Sequence, residues 1–358
     1  MKLSKEMIDQ IKKEIADKNI SRNKHPEFDL FILNYTNRCQ VLWHWSEATR
    51  LCRGLIVDGE YNVIARSYQK FFGYGQEGSP EMPKGEKYHV YDKSDGSLGV
   101  RYKCPDGTYR MSSRGSFTSP MAVQGTIMLQ SLYSDCVFNP LYSYSVEIIY
   151  PQNRIIVDYK NDYRLVLHGV HDTETGKLLP LREEGVKTGM PTAKLFGVVA
   201  FEDPTVLMTA NKYVGQEGFV LVFEKSGLLL KLKYEEYKQA HYLSGLVTPR
   251  KMFRRMIEEG SLNGLRVPRM PQWYVDKVDT FEKEVGSLMR GLEVGLRESY
   301  KNIIYLLGED STPKDFAIAI KDNEHKAGLF NIAHGDEKRF GEYVLETVRR
   351  SVLKGEDT

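Results

Sequence analysis

Tyr88-His89-Val90-Tyr91-Asp92-Lys93-Ser94-Asp95-Gly96-Ser97-Leu98-Gly99-Val100-Arg101-Tyr102 is the stretch whose reading sets the fold class. Apolar and polar residues alternate along it, as in a strand with one buried face, and Asp95-Gly96 punctuates its middle. Segments of the same texture, rich in Val, Ile and Tyr, recur at Tyr109–Ser113, Tyr144–Tyr150, Ile155–Tyr159, Leu165–His171 and Phe219–Lys233. Cys104-Pro105-Asp106-Gly107 predicts a hairpin turn. Only two helical patterns interrupt: residues 4–18, with Ile8, Ile11 and Ile15 at helical spacing, and Ser119–Leu132. A doubly wound parallel sheet needs a helix between every pair of strands, and that rhythm is missing. The expected class is therefore α+β with mainly antiparallel sheets.

Beyond about residue 240 the texture changes. Pro249–Glu259, Pro271–Leu292, Gly295–Leu307, Pro313–Lys321 and Lys338–Val352 are charged and helically periodic, with Gly260–Pro271 as a loop among them. This predicts two domains: residues 1–244, built on sheets, and residues 245–358, all helical.

The 358 residues are 41% hydrophobic and 27% charged, with a net charge of +2, which is ordinary for a globular chain. There is no overall basic excess, so any nucleic-acid contact must be a local patch. No run of about 18 apolar residues suggests a membrane span. Met1-Lys2-Leu3-Ser4-Lys5-Glu6-Met7 lacks the apolar core of a signal peptide, so a cytoplasmic protein, or one in a host's cytoplasm if viral, is expected. Cys39, Cys52, Cys104 and Cys136 have no metal-site spacing and read as free thiols. The eight histidines are scattered, and His171-Asp172 has no nucleophile to serve.

Lys93-Ser94-Asp95-Gly96 by itself is a weak signal, since a Lys-x-Asp-Gly string arises by chance in about one chain in ten of this length. Its company carries more weight. In order come Arg53-Gly54, Lys70-Phe71-Phe72, the Lys93 string, Arg114-Gly115, Val146-Glu147-Ile148, Glu217-Gly218-Phe219-Val220 and Lys231-Leu232-Lys233. Each places a charge in or beside an apolar strand, which costs several kcal/mol of solvation unless the charge meets a partner. Lys231 and Lys233, two apart, share one strand face. Converging, these side chains form a polar pocket with surplus positive charge, suited to a nucleoside triphosphate and its metal.

The ordered set resembles the covalent nucleotidyltransferases, namely DNA ligases, RNA ligases and mRNA capping enzymes, and most closely the phage-type RNA ligase 1 family. The strings that carry the resemblance are Cys52-Arg53-Gly54-Leu55, Lys70-Phe71-Phe72, Lys93-Ser94-Asp95-Gly96-Ser97-Leu98, Pro151-Gln152-Asn153-Arg154-Ile155 and Lys231-Leu232-Lys233. It spans residues 30 to 240 and implies an ATP-grasp-like nucleotidyltransferase domain with three-step ligation. Lys93 takes AMP from ATP, the AMP passes to a 5′-phosphate on RNA, and a 3′-hydroxyl then displaces it. DNA ligases and capping enzymes normally follow the Lys-x-Lys strand with a β-barrel, whereas this chain turns helical. A non-catalytic RNA-binding module is the third reading, though every charged position of the set is present.

The resemblance makes Lys93 the nucleophile, with Lys231 and Lys233 neutralising the phosphates. Neighbouring cations and a metal are expected to lower the pKa of Lys93. Arg53, Lys70 and Arg114 match phosphate- or ribose-contacting positions, Arg114 standing where the family carries Lys. Tyr35 is expected in the same pocket, and Val220 and the Leu167/His168 strand against adenine. Glu147 either hydrogen bonds the ribose or holds water on the metal, while Glu217 and Asp95 help place that metal, Mg²⁺ or alternatively Mn²⁺. The implied partner is RNA with 5′-phosphate and 3′-hydroxyl ends, such as a nicked tRNA, and the chain is expected to act as a monomer in RNA repair. In the helical domain, Arg250, Lys251, Arg254, Arg255, Arg266 and Arg269 are expected to contact RNA phosphates and help select the substrate.

Overall fold

Lys93 ends one strand and Ser97 begins the next, yet in the computed structural model these two strands belong to different sheets. The structure describes residues 2–210, 215–266, 270 and 272–354. It divides into two compact units, residues 1–239 and 240–358.

The first unit holds three sheets. One is a meander of β1 (Ile20–Lys24), β2 (Leu30–Tyr35), β3 (Arg53–Asp58) and β4 (Val63–Ala65), antiparallel throughout. The helix Lys5–Ala16, capped by the Ser4 side chain, buries Ile8 and Ile11 in the core with Leu33, Leu55 and Val57 of this meander. The other strands are β5 (Phe72–Gly73), β6 (Tyr88–Lys93), β7 (Ser97–Lys103), β8 (Tyr109–Ser112), β9 (Tyr142–Ile149), β10 (Arg164–Asp172), β11 (Leu195–Val199), β12 (Gly218–Phe223) and β13 (Leu229–Lys233). They form a second sheet in the order β10-β9-β7-β8 and a third in the order β11-β6-β12-β13-β5. Among the described strands, only the short β13–β5 pairing is parallel.

The mainly antiparallel α+β class is what the alternation predicted. The turn at Asp106-Gly107 does join the hairpin β7–β8, with Gly107 at φ +86°. Ser119 caps the helix Pro120–Leu132. Two expectations need correction. The stretch Tyr88–Tyr102 is two strands in two sheets, because Asp95-Gly96 makes a crossing rather than a bulge. Ile155–Tyr159, expected as a strand, forms none. The amides of Ile156 and Val157 donate instead to one oxygen of Asp95, each at 2.8 Å, and are lost to any sheet ladder.

The second unit is helical: Pro249–Glu259, Gln272–Leu307, Pro313–Ala319, Lys326–Ala333 and Glu337–Lys354. Pro271–Leu292 and Gly295–Leu307, expected as separate helices, are one helix of 36 residues. Gly291 and Gly295 lie inside it, where glycine costs only about 1 kcal/mol each and two layers of packing compensate. Tyr274, Val278, Phe281 and Val285 fill one core with Met252, Phe253 and Val348. Leu296 fills the next with Phe316, Leu329, Phe340 and Val344.

Candidate active site

The third sheet builds the floor of the site. β12 lies between β6 and β13, and Gly218 is opposite Lys93 on one side and Lys233 on the other. Two residues along, Val220 is opposite Tyr91 and Lys231. A step of two keeps side chains on one face, so Lys93, Lys233, Tyr91, Val220 and Lys231 all project the same way. They line one cavity together with Arg53, Tyr68, Phe71, Glu147, His168 and Val222.

Two glycines allow the close approach. Gly218 has φ +148°, and a Cβ there would sit 2.0 Å from the carbonyl oxygen of Leu232. A Cβ on Gly96 would lie 2.7 Å from the Ile148 carbonyl and 3.1 Å from Glu147 Cγ. The Asp-Gly of the Lys93 string therefore lets β9, which carries Glu147, come up against the crossing.

Glu217, just before β12, is the electrostatic centre. It is 4% exposed, and its carboxylate bonds Lys93 Nζ through Oε2 and Lys233 Nζ through Oε1, each at 2.8 Å. Burial alone would raise its pKa, but the two ammonium groups outweigh it and the pKa falls. The expectation for Lys93 is thereby reversed. Burial and Arg53 do push its pKa down, yet the carboxylates of Glu217 and Glu147 more than offset them, and the Lys93 pKa is raised. The expected lowering counts a metal as well as the cations; among the protein's own groups the carboxylate in contact decides the sign.

Lys231 is the opposite case. Among the described residues it makes no ion pair, and its Nζ sits over the Phe71 ring, 4.5 Å from the centroid. Burial, followed by repulsion from Arg53, Lys70 and Lys93, pushes its pKa down to about 6. Glu147 lies half-buried near Lys93 and its pKa is pushed up to about 7, desolvation being the largest cause. His168 Nε2 lies 3.6 Å from Glu147 Oε2 and has no hydrogen-bond partner. Burial and the field of Arg53 hold the imidazole neutral, with a pKa of about 3. It stacks on Tyr68 at 17° between ring planes. Leu167, also expected near a base, lies in the core of the second sheet instead.

Not every expected residue faces this cavity. Tyr35, Lys70 and Arg114 form an adjoining cluster. Arg114 Nη1 bonds the Tyr35 hydroxyl at 3.2 Å, and Lys70 Nζ is caged by Trp45, Phe72 and Tyr35 at 4.8, 5.4 and 5.6 Å from the ring centroids. Burial and repulsion from Arg53 and Arg114 lower the Lys70 pKa to about 8. Asp95 is held by hydrogen bonds of its own. Its Oδ2 accepts the Ile156 and Val157 amides, and its Oδ1 accepts the Tyr237 hydroxyl at 2.6 Å. In this arrangement it ties down the loop behind Lys93.

Among the described residues, no group of three or more His, Cys, Asp and Glu is placed to hold a metal by protein ligands alone. Glu147 and Glu217 beside Arg53, Lys93, Lys231 and Lys233 fit a hard ion that keeps most of its water and takes its other oxygens from substrate phosphates.

A family profile described as RNA ligase matches residues 51–239, more than half of the chain and all of the expected site residues except Tyr35. The chain belongs to the phage-type RNA ligase 1 family. The ligase is 24% identical over 407 aligned residues to an RNA ligase of Rhodothermus phage RM378, covering 91% of this chain and 90% of that one. In fold it is similar to an archaeal ATP-dependent RNA ligase, at a TM-score of 0.50 and 14% identity over 79% of each chain. A putative ATP-dependent DNA ligase from Aquifex aeolicus aligns over 89% of each chain at a TM-score of 0.47 and 14% identity. Reading the ligase by sequence overlooked Tyr68, Tyr91 and Val222 as cavity walls, and the polar edge of His168. A signal existed for Tyr68, two residues before Lys70, but alternation cannot say which buried aromatic faces a cavity.

Proposed function

We propose that this RNA ligase uses ATP and a divalent cation to join a 5′-phosphate to a 3′-hydroxyl through a lysyl-AMP on Lys93. The single observation that carries the proposal is the cross-strand row Lys93–Gly218–Lys233, with Glu217 bridging both lysines and Lys231 two residues along the same face. Val220, Tyr91 and the His168–Tyr68 stack give the purine an apolar slot beside that row.

In the first step the Lys93 Nζ lone pair attacks the α-phosphorus. The N–P bond forms, the bond to the pyrophosphate oxygen breaks, and Nζ sheds a proton. Glu217 holds Lys93 in place but keeps it protonated. Glu147, poised near neutrality, is the better acceptor for that proton. Lys231 and Lys233 receive the charge that builds on the departing pyrophosphate. A bound Mg²⁺ or Mn²⁺ would add positive charge on the phosphates, and Glu147 and Glu217 are the residues that would hold its water. A 5′-phosphate oxygen of RNA then attacks the phosphorus of lysyl-AMP, which releases Lys93. A 3′-hydroxyl attacks the activated 5′-phosphorus, and AMP leaves.

The helical unit supports substrate choice, with structured RNA such as a nicked tRNA as the substrate and a cytoplasmic monomer as the working form. Among the described residues no helix is long and apolar enough to cross a membrane. The test is incubation with ATP labelled at the α-phosphate. Label that survives denaturation on the wild type, and is absent from Lys93→Ala, supports the proposal. Equal label on both overturns it.

A further inference from the structure

We infer that the indole of Trp43 is a stacking platform for an unpaired base of the RNA next to the reacting end. This inference rests on the ligase reading of the Lys93 pocket for the identity of the ligand. Val41, Leu42 and Trp43 are exposed in succession, the indole by 38%. A contiguous exposed apolar patch marks a contact surface, where a single exposed residue does not. Trp43 has φ +53°, a left-handed backbone that is unfavourable for a residue with a Cβ. The residues after it hold it there. The His44 imidazole bonds the Glu14 carboxylate at 2.9 Å, and the Ser46 hydroxyl donates to the same carboxylate at 2.7 Å. The Cys39 thiol donates to the His44 carbonyl oxygen at 2.8 Å. The indole itself packs edge-on to Trp45, 6.1 Å between centroids, and lies 5.6 Å from Phe72. Its Nε1 rests on Gly78, where a Cβ would sit 3.0 Å away. The ring is thus set before a ligand arrives, and stacking on it costs little ordering.

The charge beside the ring makes the occupant a nucleotide. Trp45 and Phe72, against which the indole packs, are two walls of the cage around Lys70 Nζ, and Tyr35, the third, holds Arg114 through its hydroxyl. An aromatic face for a base with cations at its edge for the phosphate is the arrangement that grips single strands. A second copy of this chain meeting the same face about a two-fold axis would bring Lys70 and Arg114 toward their own like. The platform also adjoins the reaction, because Phe71, the chain neighbour of Phe72, lines the Lys93 cavity. The helical unit offers a different surface. Of the cations expected there to meet RNA, Arg254, Arg255 and Arg266 are ion-paired with Glu258, Glu259, and Asp279 and Glu282. Arg250 has a partner, Lys251 Nζ bonds the Gly245 carbonyl at 2.6 Å, and Arg269 lies outside the described residues.

The experiment uses the full chain and a 5′-phosphorylated single-stranded RNA, with binding followed by fluorescence anisotropy. Trp43→Ala is expected to weaken RNA binding about tenfold, the effect of losing one base–aromatic stack. Trp43→Leu keeps apolar bulk without a ring, covers any folding defect of the alanine variant, and is expected to lose as much. Trp43→Phe restores a ring and should stay within about threefold of wild type. RNAs with a single abasic nucleotide at successive positions from either end give the readout that a merely structural role would not move. One of them should bind the wild type about tenfold more weakly than intact RNA does, yet bind Trp43→Leu no more weakly than intact RNA does. The slope of log Kd against log salt should not change, since no cation is lost. Transfer of AMP from labelled ATP to Lys93 is expected to stay within about twofold of wild type in all three variants. Wild-type RNA affinity in Trp43→Ala and Trp43→Leu would overturn the inference, and so would a loss that is the same for intact and abasic RNA at every position. A dimer in sedimentation that dissociates in Trp43→Leu, with RNA affinity unchanged, would assign the face to a second copy and also overturn it. If the wild type takes up no AMP while the abasic dependence holds, the ligase chemistry fails and the platform stands.

Discussion

The two edges of the Lys93 cavity are built from the same kind of strand residue but are electrically unlike. On one edge Glu217 is clamped between Lys93 and Lys233. On the other, Lys231 lies over Phe71 and makes no ion pair among the described residues. The first edge is compensated by the protein's own groups; under the proposed reaction the second would be compensated by phosphate. Compensation fixes geometry, because an ion pair at 2.8 Å leaves the nucleophile one place to be. Lack of compensation would store affinity under the proposed reaction, because a half-buried lysine pushed down to about 6 would regain its proton on binding a polyphosphate.

The most severe way to break the comparison is to remove the nucleophile. Lys93→Ala should abolish covalent AMP labelling, a loss of about 10³-fold or more, while ATP binding measured by calorimetry persists. Labelling above that background would place the nucleophile elsewhere. Next is Lys231→Met, which should slow adenylylation by about 10²-fold through the lost charge at the leaving pyrophosphate. The same change should stabilise the ligand-free fold. The lowered pKa means that the unfolded chain binds more protons between pH 6 and the ordinary lysine value. The stability deficit is therefore full below about pH 6 and is relieved as pH rises. Lys231→Met should remove that rise and gain roughly 2 kcal/mol at neutral pH, readable from denaturant unfolding at pH 6 and pH 9.

On the compensated edge, Glu217→Gln leaves Lys93 and Lys233 without their carboxylate and should cost about 3 kcal/mol of stability. It should also lower the Lys93 pKa, so the pH–rate profile of adenylylation moves to lower pH. An unchanged profile would mean that the ion pair does not govern the nucleophile. A smaller signal is proton uptake. ATP binding near pH 7.5 should draw up to about one proton, seen as a buffer-dependent calorimetric heat, and Lys231→Met should lose most of it. The smallest expected effect belongs to Glu147. Its raised pKa makes its contribution to stability fall as pH climbs from 4.5 through about 7, and Glu147→Gln should flatten that limb by roughly 1–2 kcal/mol.

Much of this site was legible before any coordinates. Charged residues in apolar strands are conspicuous, and Arg53, Lys93, Glu147, Lys231 and Lys233 were each found that way and do line one cavity. Less legible was which of two like residues would be paired. Lys70, Lys93 and Lys231 all occur beside apolar residues, but one is caged by rings, one is held by a carboxylate and one is left bare. Asp95 is a metal candidate by family resemblance. Its hydrogen bonds run to residues sixty and more positions away, and local pattern carries no information about those.

The sequence by itself determined the classes of element, the helical texture after residue 240 and the list of charges that strands would have to bury. Those follow from local periodicity and from solvation cost, which depend on residue type and spacing. Tertiary structure alone decided that Lys93 and Lys233 flank Gly218 in one row and that Glu217 joins them. Register, burial and the field at each ammonium depend on atoms brought together from distant positions, and they set the protonation of the nucleophile against what its neighbours in the chain suggest.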